Sequence, residues 1–464
     1  MSILRPNLSA SIAALVVTMC ALRFVALDVS PPGFYVDEAA IAAQVLCLRD
    51  SGHDLFDQRW PLFTPVLGGG YATPPMLYLG AAWTKFFGGS IASFRAFSAL
   101  FGVLFVGASY LLSLRLWRSK DAALLSALCA AISPWAFQFS RISWDPALAP
   151  GLLALSLALF FTGGRHAIRW SAVSGIVAAA AAYAYPPLRV QLVLVVPALF
   201  VVLRRVDRES ASKRSVVFAT ALSIAVMPLV VLTVRGDIQG RFNMLSVFNE
   251  NYLRQFGEPS FFAGLWELVK NFGSHFSPRF LLFRGDGNPR HATSVFGEWS
   301  PLEVLACAIV LAILFKFLRE RRRPSRSATL FTFAAFGYAA GVLPAAMTWE
   351  SNPHALRSIG ALVFLSFGAG GALALVWHRG RRWQSSIAVL ALGFCIFFYA
   401  DYFFSYPKRA EIYFDTPGVR KLLAFERDSV PLTDEAAHAT PELRDYPTLA
   451  LRYFQMESGI YRCK

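Results

Sequence analysis

The sequence predicts an all-α polytopic membrane protein, and three observations carry that reading. Of 464 residues, 56% are hydrophobic and only 16% charged, with a mean hydropathy of +0.48, which is more apolar surface than a soluble domain buries. Apolar runs long enough to cross a bilayer recur along the chain. The connections between them alternate between strongly basic and acidic or aromatic. The net charge of +15 therefore reads as a topology signal and not as a nucleic-acid surface, because the basic residues fall in short clusters between apolar runs.

About eleven spans are expected, at 8–27, 94–116, 122–139, 146–162, 170–183, 190–203, 216–234, 302–317, 330–347, 359–377 and 387–404. The first lacks a small-residue cleavage site after its core and reads as a retained helix. Five connections are basic: Arg115, Arg118 and Lys120; Arg165 and Arg169; Arg204, Arg205, Arg208, Lys213 and Arg214; Lys316, Arg319, Arg321 to Arg323 and Arg326; Arg379, Arg381 and Arg382. The positive-inside rule assigns these to the cytoplasm. Of the 29 acidic residues only Asp121, Asp207, Glu209 and Glu320 share those connections, so the acids mark the opposite side.

Two regions follow. Residues 1–404 form the membrane region, with outer loops at about 28–93, 140–146, 184–189, 235–300 and 348–358; residues 405–464 form an external segment, too small for a secure core, that packs on the outer face. The stretch 74–89, PPMLYLGAAWTKFFGG, carries Lys85 and would invert every later loop if it crossed. It is expected to lie in the interface. Among the six cysteines no CxxC occurs. Cys20, Cys129, Cys307 and Cys395 fall in apolar runs as packing residues, while Cys47 and Cys463 lie outside the bilayer, where a disulfide is open to them.

The outer segments carry more polar residues than connections need. In PPGFYVDEAAIAAQVLCLRD, residues 31–50, Asp37 and Glu38 open a helix after a Pro-Pro-Gly break; Asp37 reads equally as a helix cap or as a catalytic carboxylate. In FSRISWDPA, Arg141 and Asp145 lie one helical turn apart, as a salt bridge or as functional charges at a membrane edge. FRGDGNPRHATSVFGE supplies Arg284, Arg290 and His291 as phosphate-type donors or as an ordinary solvated loop. WESNPHALRS places His354 and Arg357 at helical spacing, and YAYPPLR adds Tyr183, Tyr185 and Arg189, residue types also common as interface anchors. There is no Walker loop, dinucleotide fingerprint or HExxH, so nucleotide binding and zinc proteolysis lack support.

In order and spacing, FYVDEAAI, TPPMLYLGAAWTKFFG, FRAFSALFGVL, SPWAFQFSRISWDPAL, GDGNPRH and NPHALRSIGAL resemble glycosyltransferase family 39, the protein mannosyltransferase-like and aminoarabinose transferase-like enzymes of the GT-C class. The resemblance covers about residues 30–375. It implies an integral protein, such as one of the bacterial inner membrane, acting at the periplasmic or external side. It also implies a GT-C bundle that moves a sugar from a polyprenyl-phosphate donor to a hydroxyl on a lipid, glycan or protein acceptor, with inversion.

That chemistry needs one base for the acceptor proton and positive charge around a phosphate that already leaves well. The resemblance makes Asp37 the base, with Glu38 beside it. Asp145 then orients the acceptor or shares a magnesium or manganese ion with Asp37. Arg141, Arg290, His291, His354 and Arg357, with Tyr183 and Tyr185, are the candidates for holding the donor. Thr73 departs from aminoarabinose-type relatives, which carry a lysine before the paired prolines. A transporter or flippase of a lipid-linked glycan is the competing class, but it would place ionisable residues mid-helix and show inverted repeats. Here the acids gather at one face. The catalytic reading therefore expects Asp37 and Asp145 side by side, with Arg or His side chains opposite.

Overall fold

The computed structural model describes residues 7–238, 240–320, 325–427, 447–457 and 461–463. A helix covers each of the eleven apolar runs. α1 (Leu8–Leu22) leads through the Pro31-Pro32-Gly33 break to α2 (Val36–Ser51), which ends where Gly52 takes a left-handed conformation at φ 75°. A short hairpin follows, β1 (Thr64–Pro65) antiparallel to β2 (Tyr71–Ala72), with Thr64 opposite Ala72. α3 (Pro74–Phe87) starts on two prolines, which need no N–H partner in a first turn, and leaves Phe86 and Phe87 exposed at its end. That exposed aromatic end suits the expected interfacial helix.

α4 (Ile91–Trp117) is capped by the Ser90 hydroxyl. The expected run 122–139 is divided, because Pro134 has no N–H to continue the ladder: α5 (Lys120–Ile132) stops at Ser133 and α6 (Pro134–Phe139) restarts. A 3₁₀ turn, Asp145–Leu148, precedes α7 (Ala149–Phe160). α8 (Ala167–Ala184), α9 (Pro186–Val206) and α10 (Ala211–Arg235) follow, and the long loop after α10 holds α11 (Gly240–Leu245), α12 (Glu250–Leu253) and α13 (Phe261–Ser274). α14 (Pro301–Glu320), α15 (Arg326–Ala346), α16 (Ala361–Trp377) and α17 (Arg381–Ala400) complete the bundle. Among the described residues six stretches are long and apolar enough to cross a membrane: α4, α8, α9, α10, α15 and the continuous Arg381–Phe414. Leu8–Leu22, Asp145–Phe160 and Ala361–Trp377 are shorter apolar helices.

α16 is the buried axis, packed on α5, α14 and α15. Small residues permit the approach: a side chain at Gly370 would run into Ser126 and the Ala122 carbonyl. In a bundle surrounded by lipid, close backbone packing replaces the hydrophobic drive that water supplies to soluble cores.

The tail returns to the segment between α1 and α4. After α18 (Tyr406–Ala410) and α19 (Thr416–Arg427), α20 (Thr448–Glu457) packs on α2, and Cys463 is disulfide-bonded to Cys47. Tyr453 donates to the Gly89 carbonyl at 3.0 Å, and its ring lies 4.9 Å from that of Phe34.

Arg321 to Arg323, from the expected cytoplasmic set, lie outside the described residues. Topology is tested by reporter fusions: one between Arg319 and Arg326 should report the cytoplasm and one after Phe404 the outside. The same side for both would refute the alternation of charge as a guide to the span count.

Candidate active site

Buried arginines shape this end of the bundle before any candidate catalytic group is placed. Arg95, near the start of α4, and Glu38, on α2, form an ion pair in which both side chains are 0% exposed. Glu38 accepts from Arg95 Nε at 3.0 Å and Nη2 at 2.8 Å, from the Ser143 N–H at 2.8 Å and from the Tyr35 N–H at 3.1 Å. Arg95 spends its other donors on the carbonyls of Leu27, Pro31 and Gly33. One guanidinium thus ties the turn after α1 to α2 and α4. Glu38, expected beside the base, is instead a fully engaged structural carboxylate, and it takes the N-terminal capping role expected of Asp37.

Arg141 is also corrected. It is fully buried and donates to the carbonyls of Leu22, Arg23, Val25, Ala26 and Ser30, the otherwise unpaired end of α1. It makes no bond to Asp145, so neither the salt bridge nor the phosphate contact is its role. Tyr183 has a structural place as well: its hydroxyl donates to Ala225 O and accepts from Leu229 N, each at 3.2 Å, inserting into the ladder of α10 beside Pro228.

Asp37 emerges differently. It is half-buried, and its carboxylate has no hydrogen bond or ion pair among the described residues. Burial pushes its carboxyl up from the ordinary value; Arg241 and Arg290 pull it back, while Glu38 and Asp415 push it up. Asp415 itself accepts from the Val36 N–H at 3.4 Å. Asp145, in the 3₁₀ turn ahead of α7, is 6% exposed, and its Oδ1 accepts from the Thr73 N–H at 2.8 Å and the Thr73 hydroxyl at 2.5 Å. Burial raises its pKa to about 7 against the lowering effect of Thr73, and the nearby charge of Asp37 adds to the rise. Thr73, just before the paired prolines, is therefore the residue that fixes Asp145.

Arg290 stacks over Tyr35, with its Cζ 3.9 Å from the ring centroid, and its buried Nε has no partner. Arg357 is already paired with Glu350, donating also to Thr348 Oγ1 at 2.9 Å and Glu350 O at 3.0 Å. Tyr185, between α8 and α9, lies within the fields of Arg357 and Arg241, and burial raises its pKa. His291 and His354 gather around Asp286: His291 Nδ1 lies 3.0 Å and His354 Nδ1 3.7 Å from Asp286 Oδ2. Cavities lined by Phe101, Ser140 and Ile359, and by Arg49, Glu457 and Cys463, lie elsewhere.

Sequence reasoning missed Arg95, Arg241 and Asp286. Asp286 had a signal, since it sits inside the GDGNPRH motif. Arg95 had a weaker one, as a charge in the first turn of an apolar run. Arg241 had none. For the metal expected on Asp37 and Asp145, the structure offers two carboxylates, one already engaged by Thr73; the described group with three ligand-bearing side chains is Asp286, His291 and His354.

Residues 72–233 match the family described as dolichyl-phosphate-mannose-protein mannosyltransferase. Comparison with curated proteins gives no match. Among solved structures, ArnT from Cupriavidus metallidurans bound to undecaprenyl phosphate is similar at a TM-score of 0.52 and 15% identity, covering 97% of this chain and 76% of its own. The apo oligosaccharyltransferase of Archaeoglobus fulgidus gives 0.54 and 14%, covering 97% and 61%. Archaeal AglB from the same organism, with an inhibitory peptide and a dolichol-phosphate, gives 0.51 and 15%, covering 94% and 60%. The chain thus spans about three quarters of the first and about 60% of the other two. At such identities the likeness is one of fold. The chain is accordingly an all-α polytopic membrane protein with the fold of GT-C glycosyltransferases, and residues 72–233 match the mannosyltransferase family.

Proposed function

We propose that this protein is a glycosyltransferase that moves a sugar from a polyprenyl-phosphate donor to a hydroxyl acceptor at the outer face of the membrane, with inversion. The observation that carries the reading is Asp37: a half-buried carboxylate, free of partners among the described residues, with Arg290 and Arg241 near enough to act on its charge. A helix cap or a structural ion pair would be bonded, as Glu38 is. A base must keep its lone pairs for the proton it takes. In the proposed step the acceptor oxygen attacks the anomeric carbon from the face opposite the phosphate, the bond from that carbon to the phosphate oxygen breaks, and the acceptor proton passes to Asp37. Arg290 and Arg241 balance the charge left on the phosphate, with Arg357 and Tyr185 further along the same outer face. Asp145, held by Thr73, orients the acceptor hydroxyl.

The carrier lipids in the structures of ArnT and AglB support a lipid-phosphate donor here. The disulfide between α2 and the tail supports an oxidising compartment, such as the periplasm or exterior, for this face. The gathering of Asp37, Asp145 and Arg290 favours transfer over transport.

Membranes containing the protein, supplied with labelled polyprenyl-phosphate sugars and extracted acceptors, should form product of inverted anomeric configuration. Retained configuration, or release of sugar only to water, would overturn the mechanism. In the same assay Arg290→Ala should raise the donor requirement about 10- to 100-fold, the worth of a charged hydrogen bond, and Arg290→Lys should recover only part of it, because an ammonium lacks the planar fork. Equal donor dependence in all three proteins would remove Arg290 from the site.

A further inference from the structure

We infer that Asp286, His291 and His354 form a binding site for a divalent transition-metal ion of the zinc class. The three side chains come from two segments more than sixty residues apart, yet their ligand atoms all lie within 4.8 Å of one another. His291 Nδ1 and His354 Nδ1 flank the same carboxylate oxygen, at 3.0 and 3.7 Å, and the two imidazole rings are 4.9 Å apart.

The second observation is an unmet need. His354 is buried, and its Nδ1, aimed at this cluster, has no hydrogen-bond partner. A buried polar atom left unpaired costs about 1–3 kcal/mol, so a packed protein rarely keeps one without a ligand to fill it. A cation between the three groups would accept lone pairs from both imidazoles and the carboxylate, displacing the proton shared by His291 and Asp286.

The donor set selects the ion. Two imidazole nitrogens and one carboxylate suit zinc, whereas magnesium and calcium favour oxygen ligands. Three protein ligands leave a fourth position open. The surrounding residues hold the ligands in place: Asp286 Oδ1 accepts from the Asn288 N–H at 2.8 Å and Oδ2 from the Ala355 N–H at 2.8 Å. The His354 N–H donates to His275 Nε2 at 3.0 Å, and Phe139 and Trp144 cover His291, with ring centroids at 5.6 and 5.8 Å. Because Trp144 precedes Asp145, the site adjoins the proposed catalytic carboxylates.

The test is metal content. Full-length protein in detergent, equilibrated with zinc and then desalted, should retain about one ion per chain, as three-ligand zinc sites do; cobalt in its place should give visible absorption. His354→Ala and Asp286→Asn should each lower zinc affinity by at least about tenfold, as loss of ligand support does, and remove the cobalt bands. The Cys47–Cys463 disulfide and the thermal melt report whether each variant is folded. If a variant fails to fold, His291→Gln takes its place in the series. Failure of the wild type to retain zinc, or equal retention by folded wild type and variants, would overturn the assignment and leave a hydrogen-bonded Asp-His-His cluster. These readouts do not use sugar transfer, so they stand or fall apart from the transferase reading.

Discussion

Asp37→Asn is expected to lower transfer by about 100- to 10,000-fold, the usual worth of a positioned general base, while leaving the fold intact. The amide has the size of the carboxylate and takes up no new burden, because the Asp37 carboxylate has no hydrogen bond or ion pair to lose among the described residues. Thermal stability and the Cys47–Cys463 disulfide should therefore match the wild type. The acid side of the pH profile gives a second reading. Burial holds the Asp37 carboxyl above its ordinary 3.8, with Arg241 and Arg290 limiting the rise and Glu38 and Asp415 adding to it. Burial brings Asp145, which feels the charge of Asp37, to about 7. A base acts when ionised, so activity is present above the folded pKa of Asp37 and is lost as pH falls through it, with a limb displaced upward from the 3.8 of an ordinary aspartate. Asp37→Asn activity within tenfold of wild type would take Asp37 out of the reaction.

Environment divides the two carboxylates. Asp145 is the more deeply buried, so it holds a proton at higher pH than an ordinary aspartate even though Thr73 donates to one of its oxygens and favours the ionised form. Two carboxylates held in different environments can take different roles near neutral pH, one as the base and one as a hydrogen-bond donor.

The helices were legible because hydropathy and length decide them, and the outer motifs because charge at a membrane edge is costly without cause. The partners were less legible. The spacing of Arg141 and Asp145 suggests one face of a helix, but α6 ends at Phe139 and the next turn starts at Asp145, so the intervening residues are not helical and Arg141 turns toward α1 instead. His354 and Arg357 fail by the same rule, since α16 begins only at Ala361: His354 joins Asp286 and Arg357 joins Glu350. Glu38 and Asp37 are adjacent in sequence but successive helical positions point apart, one toward Arg95 and one toward the site. Which buried arginine meets which carbonyl depends on tertiary packing, and local sequence carries no record of it.

Arg95→Ala should be strongly destabilising, lowering stability by about 3–5 kcal/mol, because it leaves the Glu38 carboxylate buried without its counter-charge. It also strips donors from the carbonyls of Leu27, Pro31 and Gly33, the turn that delivers Asp37 to the site. Glu38→Gln separates structure from chemistry. If Glu38 acted as the base, Glu38→Gln would stay fully stable and lose transfer. As a structural carboxylate it should instead lower the melting temperature, since Arg95 would then be buried against a neutral amide, and transfer should fall in step with the folded fraction. Replacing both partners by leucine should regain much of the stability lost by either single variant, because a buried pair exchanged for apolar side chains avoids the desolvation cost of both charges. Transfer would remain low in that protein, with the turn before Asp37 no longer tied to α4. A stable Glu38→Gln with abolished transfer would return Glu38 to the catalytic role and make the ion pair secondary.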